Sequence, residues 1–211
     1  MIKNKDTETT KSTQSIKRLT LIGILSGFAT LLYLPMFRIS VILFLEVNLS
    51  EVVMFIGGFS LGPSAAFLIG LIRMLFTLPF STTGGIGEVA DLFYSLAFVL
   101  PGAFLYQYER SKKMAKYGFL IGFISQLFVT SILNAWVITD LYLTLVLNIT
   151  PEMFLSYIQG AIPQVSNPYW SLVLWMYLPF NTFKNTLVIG ITLLIYKRTH
   201  QLIKKVIKKP T

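Results

Sequence analysis

The hydrophobic positions of this chain form long apolar runs that are separated by short polar stretches. A helix needs about 20 apolar residues to cross the hydrocarbon core of a membrane. The pattern predicts six membrane-spanning helices, over residues 19–36, 51–60, 63–78, 86–106, 117–138 and 175–196. The second run is shorter than a full span, so its helix either begins earlier, near Val41, or is broken or tilted.

The amino-acid composition agrees with this pattern. Of the 211 residues, 54% are hydrophobic and 13% are charged, whereas soluble domains carry about 25% charged residues. Cysteine is absent, which excludes a disulfide framework and thiolate metal sites. The chain has no G-x-x-x-x-G-K-S/T phosphate-binding loop, and its single histidine, His200, lies in a basic tail. We therefore predict an all-α membrane protein that is not an enzyme and that has no cofactor or metal site.

The basic residues lie beside the apolar runs. Five of the 18 precede the first run, four lie between the fourth and fifth runs, and six follow the last. Because lysine and arginine are retained on the cytoplasmic side during insertion, both termini are predicted to be cytoplasmic. Residues 1–17 and 199–211 are then polar tails around a transmembrane domain of residues 18–198. This placement favours the lipid bilayer over nucleic acid as the reason for the net charge of +9.

Six spans with cytoplasmic ends place three loops on the outer side, over residues 37–50, 79–86 and 139–174. Only one basic residue, Arg38, lies in these loops, which agrees with the topology. The sequence leaves open how much of 139–174 is helical. Thr150 and Pro151 could begin a short helix there, because threonine is a frequent helix cap and proline suits the first helical position.

Polar side chains inside the predicted spans are concentrated toward their outer ends. At a rise of about 1.5 Å per residue, Arg73 and Lys184 lie about 10 Å below the outer surface, and Asp91 and Asn134 about 6 Å below it. The candidate binding residues are Glu46 in the first outer loop and, in the spans, Arg73, Glu88, Asp91, Asn134, Asn181 and Lys184. They predict a pocket that opens outward under the loops 37–50 and 79–86.

This polar layer has two interpretations. Arg73 and Asp91 could form a structural ion pair while the asparagines bridge helices. Several hydrogen-bonding groups at one depth instead favour a pocket for a heteroaromatic ligand with polar edges. The nearby aromatic residues that could stack on such a ligand are Phe44, Phe93, Tyr94, Trp136 and Phe180.

Gly23 and Gly27 form a pair of small residues one helical turn apart in the first span. Such a pair lets a second helix approach closely. The spacing alone leaves open whether that helix belongs to this chain or to another subunit.

Several short sequences occur in an order that resembles the S components of energy-coupling factor (ECF) vitamin transporters. They are Phe44-Leu-Glu-Val-Asn-Leu-Ser-Glu51, Gly57-Gly-Phe-Ser-Leu-Gly-Pro-Ser-Ala65, Gly87-Glu-Val-Ala-Asp-Leu-Phe93, Phe98-Val-Leu-Pro101, Ile132-Leu-Asn134, Leu178-Pro-Phe-Asn-Thr-Phe-Lys184 and Leu194-Ile-Tyr-Lys197. The resemblance covers nearly the whole chain from residue 19, and it is strongest to the riboflavin-binding type.

The resemblance implies a substrate-binding subunit of a vitamin importer in a bacterial plasma membrane. It places the vitamin contacts at Asn134, Asn181 and Lys184. It also implies that Gly23 and Gly27 dock on the transmembrane coupling subunit, and that two cytoplasmic ATPase subunits supply the energy.

The chain departs from the riboflavin-binding pattern at the presumed pocket. The departures are Arg73 and Met74 in the third span, Asn185 in the sixth, and the sequence Gly85-Ile-Gly-Glu-Val before Ala90-Asp-Leu-Phe93. Riboflavin is the first candidate substrate, and pantothenate or a pyrimidine precursor is the alternative. An autonomous secondary transporter is the alternative from a different class, although sites in such transporters usually lie near the membrane midplane.

Overall fold

The structure of the protein, a computed structural model, describes residues 2–42 and 45–208. Helices dominate this part of the chain: α1 (Ile2–Tyr33), α2 (Ser50–Leu61), α3 (Pro63–Thr77), α4 (Ile86–Tyr108), α5 (Lys112–Leu147), α6 (Pro151–Ala161) and α7 (170–208). Within these residues, α1, α3, α4, α5 and α7 are long and apolar enough to cross a membrane, whereas α2 is a shorter apolar helix. The prediction of a mainly helical chain with several apolar helices of membrane-spanning length is confirmed.

The segment before α2 corrects one expectation. Helix α2 begins at Ser50 and does not extend back to Val41. Residues Ile39–Ile42 (β1) instead pair antiparallel with Leu45–Val47 (β2), so the protein is not purely helical. The second span is therefore short because the chain before it is used in a β-hairpin.

Two helices are longer than their apolar runs predicted. Helix α5 continues to Leu147 through the π-helical stretches Asn134–Ile138 and Tyr142–Leu147. Helix α7 begins at residue 170 and contains a third such stretch, Val173–Tyr177. Residues 139–147 and 170–174 are thus helical, which shortens the loop expected over 139–174.

The predicted short helix in that loop is confirmed. Helix α6 begins at Pro151, and the Thr150 side chain accepts a hydrogen bond from the backbone N–H of Met153. This bond satisfies one of the free N–H groups of the first turn. At the other end of the chain, α1 begins at Ile2, so residues 2–17 of the predicted polar tail are helical and continuous with the first apolar run.

Glycines set two close approaches between helices. Gly62 has a φ of +99° and lies directly before Pro63, the first residue of α3, so α2 and α3 are joined by a single residue. Between α4 and α5, a Cβ added to Gly122 would lie 2.0 Å from the carbonyl oxygen of Phe98. The two helices therefore pack backbone to backbone. This contact sets the position of Asp91 on α4 relative to Asn134 on α5.

The apolar core has two parts. The larger part contains the packed rings of Phe55, Phe59, Phe98 and Phe119 from α2, α4 and α5. The smaller part lies where α6 packs against the end of α5 and the beginning of α7, and includes Ile158. The buried polar groups described next are contributed by the same helices.

Candidate functional site

A cavity of about 280 Å³ lies among the hairpin, α4, α5 and α7. This volume is at the lower end of the range for small-molecule pockets. Six of the seven residues predicted to bind substrate line this cavity: Glu46, Glu88, Asp91, Asn134, Asn181 and Lys184. The sequence analysis thus selected one connected region of the molecule.

Four ionisable side chains form what we call the charge network: the buried Glu51, Arg73 and Lys184, and the partly buried Asp91. Arg73 donates to Asp91 at 2.6 Å, and Lys184 donates to Glu51 at 3.0 Å. The Lys184 ammonium also lies 3.6 Å from the second Asp91 oxygen. Glu51 has no exposed surface and Arg73 only 1%. Because buried charges are costly unless paired, these four residues hold α2, α3, α4 and α7 in one arrangement.

Arg73 differs from the other predicted site residues because it does not line the cavity. Its guanidinium lies behind the Asp91 carboxylate and also donates to the hydroxyls of Ser50 and Ser95. Ser95 in turn donates to Glu51. The structural ion pair that the sequence left open between Arg73 and Asp91 is therefore present, and Arg73 acts by orienting Asp91.

A second group of charges, which we call the Arg38 cluster, consists of Arg38, Glu46 and Glu88. The Arg38 guanidinium lies 3.1 Å from Glu46 and 3.7 Å from Glu88, and it donates to the carbonyl oxygen of Tyr33 at 2.6 Å. Glu88 accepts a hydrogen bond from Ser81, which lies in the loop that precedes α4. The cluster links the end of α1, the hairpin and the start of α4, so both predicted capping loops meet at the cavity.

The remaining wall of the cavity is uncharged. Asn134 donates to the carbonyl oxygen of Thr130, and Asn181 accepts a hydrogen bond from Gln126 at 3.0 Å. The Thr130 hydroxyl is buried and has no hydrogen-bond partner in the described part of the chain. A π-helical stretch of α5 begins at Asn134, and such irregularities are frequent at functional sites.

The aromatic residues separate into two groups. Tyr94 and Phe180 line the cavity, as the sequence analysis allowed. The side chains of Phe93 and Trp136 are turned away from it and are 55% and 71% exposed. The remaining candidate, Phe44, lies outside the described residues.

Among the polar residues of the site that were not candidates from the sequence, three take part in its ion pairs and hydrogen bonds. Glu51 was quoted only as part of a motif, although a glutamate in the first turn of an apolar helix is itself a signal for a buried partner. Arg38 was noted only for topology. Gln126 is buried in α5 and bonds both Asn181 and Asn185, and nothing in its local sequence distinguished it.

The structure also bears on the small-residue pair of α1. Gly23 and Gly27 are exposed, and a Cβ added at either position meets no described atom within 4 Å. No other described helix therefore packs closely against the pair, so the alternative of a contact within this chain has no support among the described residues. Among the described residues, no group of three or more histidine or acidic side chains is arranged to hold a metal ion.

Apolar helices around a cavity lined by several charged and polar side chains are typical of membrane proteins that bind a small solute. A family model described as "ECF transporter, substrate-specific component" matches residues 17–196. The chain therefore belongs to the family of ECF transporter S components, which are transport subunits and not enzymes.

Two individual comparisons agree with this family. The riboflavin transporter RibU of Staphylococcus aureus (strain TCH60) is 26% identical over 194 residues, which cover 92% of this chain and 95% of that protein. A solved structure described as "Structure and mechanism of the S component of a bacterial ECF transporter" is 25% identical, with a TM-score of 0.66. It covers 90% of this chain and 99% of its own. The fold is thus that of an ECF S component.

Proposed function

We propose that this chain captures riboflavin or a similar vitamin from the outside of a bacterial plasma membrane for uptake driven by partner ATPases. The observation that carries the proposal is the single cavity at which Asn134, Asn181 and Lys184 meet. These are the positions that the resemblance implied as vitamin contacts. The relative named as a riboflavin transporter makes riboflavin the first substrate to test.

The cavity supplies the interactions that a heteroaromatic vitamin needs. Tyr94 and Phe180 line the cavity and supply rings that can stack on a ligand. The amides of Asn134 and Asn181 also line it and can hydrogen-bond the polar edge of a ring. Lys184 is held in place by two carboxylates, so it contributes an oriented N–H donor. The Arg38 cluster closes the hairpin over this arrangement.

We further propose six membrane crossings, with α2 as the short second one, and both termini in the cytoplasm. Two contacts support this topology. Arg18 at the start of the first span donates to the Leu61 carbonyl oxygen and to Ser64 at the α2–α3 turn. His200 near the end of α7 lies 3.1 Å from Ser60, in the last turn of α2. The basic ends of the first and last spans therefore share one side of the helix bundle, as cytoplasmic ends do.

The partners in this proposal are a transmembrane coupling subunit and two cytoplasmic ATPase subunits. Support comes from Gly23 and Gly27, which form an exposed small surface that no described part of this chain covers. Backbone contact at such a surface is a common way for membrane helices to associate.

Titration of the purified chain with riboflavin tests the substrate. We expect quenching of riboflavin fluorescence that ends at one vitamin per chain. Replacing Phe180 with leucine should weaken binding at least about tenfold, because stacking area is lost. The matched variant Phe93→Leu changes an exposed ring on the neighbouring helix and should bind as the parent does. The assignment would be contradicted if the chain does not bind riboflavin, or if the two variants lose the same amount of affinity for it.

A double variant tests the partner surface. Gly23→Leu with Gly27→Leu should leave vitamin binding intact, because a Cβ at either position has no described atom within 4 Å and neither residue lines the cavity. The double variant should abolish uptake by the assembled transporter. Gly160→Leu, at another exposed glycine with open space, is the control. Normal uptake by the double variant would refute docking at this pair. Uptake by the chain alone in liposomes would favour an autonomous transporter instead.

A further inference from the structure

The charged side chains that line the cavity give it a net negative charge. Two of them are cations, Arg38 and Lys184, and three are carboxylates, Glu46, Glu88 and Asp91. Behind these side chains lie one further cation, Arg73, and one further carboxylate, Glu51, which leave the net charge unchanged. The cavity is therefore surrounded by one more formal negative charge than positive charge.

Each of these cations is already paired with a carboxylate. Arg38 lies between Glu46 and Glu88, at 3.1 and 3.7 Å. Lys184 lies 3.0 Å from Glu51 and 3.6 Å from Asp91. A carboxylate or phosphate on a substrate would have to displace one of these partners, and the displaced group would remain nearby as a like charge.

The cost of such a displacement is raised by burial. Glu88 is 3% exposed and Glu51 is fully buried, so water does not screen their charges effectively. Like charges in this environment repel more strongly than they do at a protein surface, and juxtaposed like charges are a common means of rejecting the wrong partner.

The uncharged wall of the cavity can bind neutral polar groups without such a cost. The Thr130 hydroxyl is buried without a hydrogen-bond partner in the described chain, and Tyr94 and Asn134 lie on the same wall. Neutral donors and acceptors of a ring system can satisfy these groups without disturbing an ion pair. A positive charge would meet Glu46, the most exposed carboxylate of the Arg38 cluster.

We propose that the cavity discriminates by charge: it accepts a vitamin whose bound portion is neutral or cationic, and it rejects one that places a carboxylate or phosphate there. This inference rests on the proposed function, since it assumes that a vitamin binds in this cavity. It retains riboflavin and removes pantothenate, which is a carboxylate, from the candidates.

Pairs of vitamins in which one member carries an added or substituted anionic group test the discrimination. Riboflavin is compared with riboflavin 5′-phosphate, and pantothenol with pantothenate, by titration calorimetry at low salt. In each pair that binds, the anion should bind at least about tenfold more weakly than its neutral partner. Added salt should reduce this difference in affinity. An anion that binds as tightly as its neutral partner overturns the proposal.

A second measurement does not depend on which vitamin binds. Because the chain has no cysteine, a single thiol can be placed at the cavity with Thr82→Cys and, as control, at the exposed Ser156→Cys of α6. Each thiol reacts with a cationic or an anionic methanethiosulfonate reagent to form a mixed disulfide. The ratio of the cationic rate to the anionic rate should be at least about fivefold higher at position 82.

The source of the selectivity is tested in the Thr82→Cys background. Glu46→Gln should lower the rate ratio, whereas Glu109→Gln, the same charge change at an exposed position outside the cavity, should leave it unchanged. Equal ratios at positions 82 and 156 overturn the charge discrimination even if riboflavin binds. If no vitamin binds but the ratio is high, the proposed function fails and the discrimination stands.

Discussion

Helices α2, α4 and α7 contact one another near both of their ends, but through different kinds of interaction. At the cavity end, Glu51 of α2, Asp91 of α4 and Lys184 of α7 are joined by ion pairs. Toward the other end, the same helices meet through an aromatic cluster that consists of Phe59, Tyr106 and Tyr196. Its ring centroids lie 4.9 to 6.2 Å apart.

The difference between these ends lies in what each requires. Ring packing is satisfied by volume and shape, and it tolerates substitutions that conserve both. Buried ion pairs require that each charge keep its partner, because an unpaired buried charge costs far more than a lost contact. The cavity end should therefore be sensitive to changes that barely alter side-chain shape, and the aromatic end should not.

The largest effect is expected for Glu51→Gln, which keeps the shape and removes the charge. Lys184 loses its closer carboxylate in a buried site, so we expect a loss of about 3 kcal/mol in the free energy of unfolding. Unfolding of the detergent-solubilised chain measures this. The exposed variant Glu109→Gln should change stability by less than about 0.5 kcal/mol. Similar values for the two variants would mean that the charge network contributes no specific stability.

Adding Lys184→Met to Glu51→Gln sharpens this test. The double variant should be more stable than Glu51→Gln alone, since no lysine then lacks its partner. Strictly additive losses would show that the two side chains are not coupled.

An intermediate effect is expected for Gly122→Ala, between the two ends. The new methyl group would lie 2.0 Å from the Phe98 carbonyl oxygen, so α4 and α5 must separate. Overpacking of this kind costs about 1 to 3 kcal/mol. Gly190→Ala, which places a methyl group in open space, is the matched control and should be neutral or slightly stabilising. A neutral result at position 122 would contradict the close approach of the two helices.

The smallest effect is expected for Phe59→Leu in the aromatic cluster. Leucine fills part of the ring volume, and we expect a loss of about 1 kcal/mol with vitamin binding unchanged. Thermal unfolding and riboflavin titration measure the two quantities. If this variant costs more than Glu51→Gln, the comparison between the two ends is wrong.

Local sequence determined the helices of this protein well. Backbone groups in a membrane must be hydrogen-bonded within the chain, so a long apolar run has few alternatives to a helix. The runs 63–78 and 86–106 match α3 and α4 closely for this reason. The ends of α5 and α7 were harder, because helices that leave the membrane lose the apolar signal but keep their hydrogen bonds.

The polar residues of the site were also visible as a group. Counting helical rise placed Asp91, Lys184 and Arg73 at similar depth, and the structure brings them together. Depth, however, says nothing of direction. Phe93 and Tyr94 are neighbours in the chain, yet only Tyr94 lines the cavity, because helix rotation separates successive residues by about 100°.

What the sequence determined by itself is the class of protein, the helices and the depth of its buried polar groups, since these follow from local hydropathy and helical rise. Tertiary structure alone decided which charges pair. Glu51 and Lys184 are separated by 133 residues, and their contact depends on how α2 and α7 are rotated and packed. Packing also decided that Arg73 supports Asp91 from behind, and that the cations of the cavity are already paired.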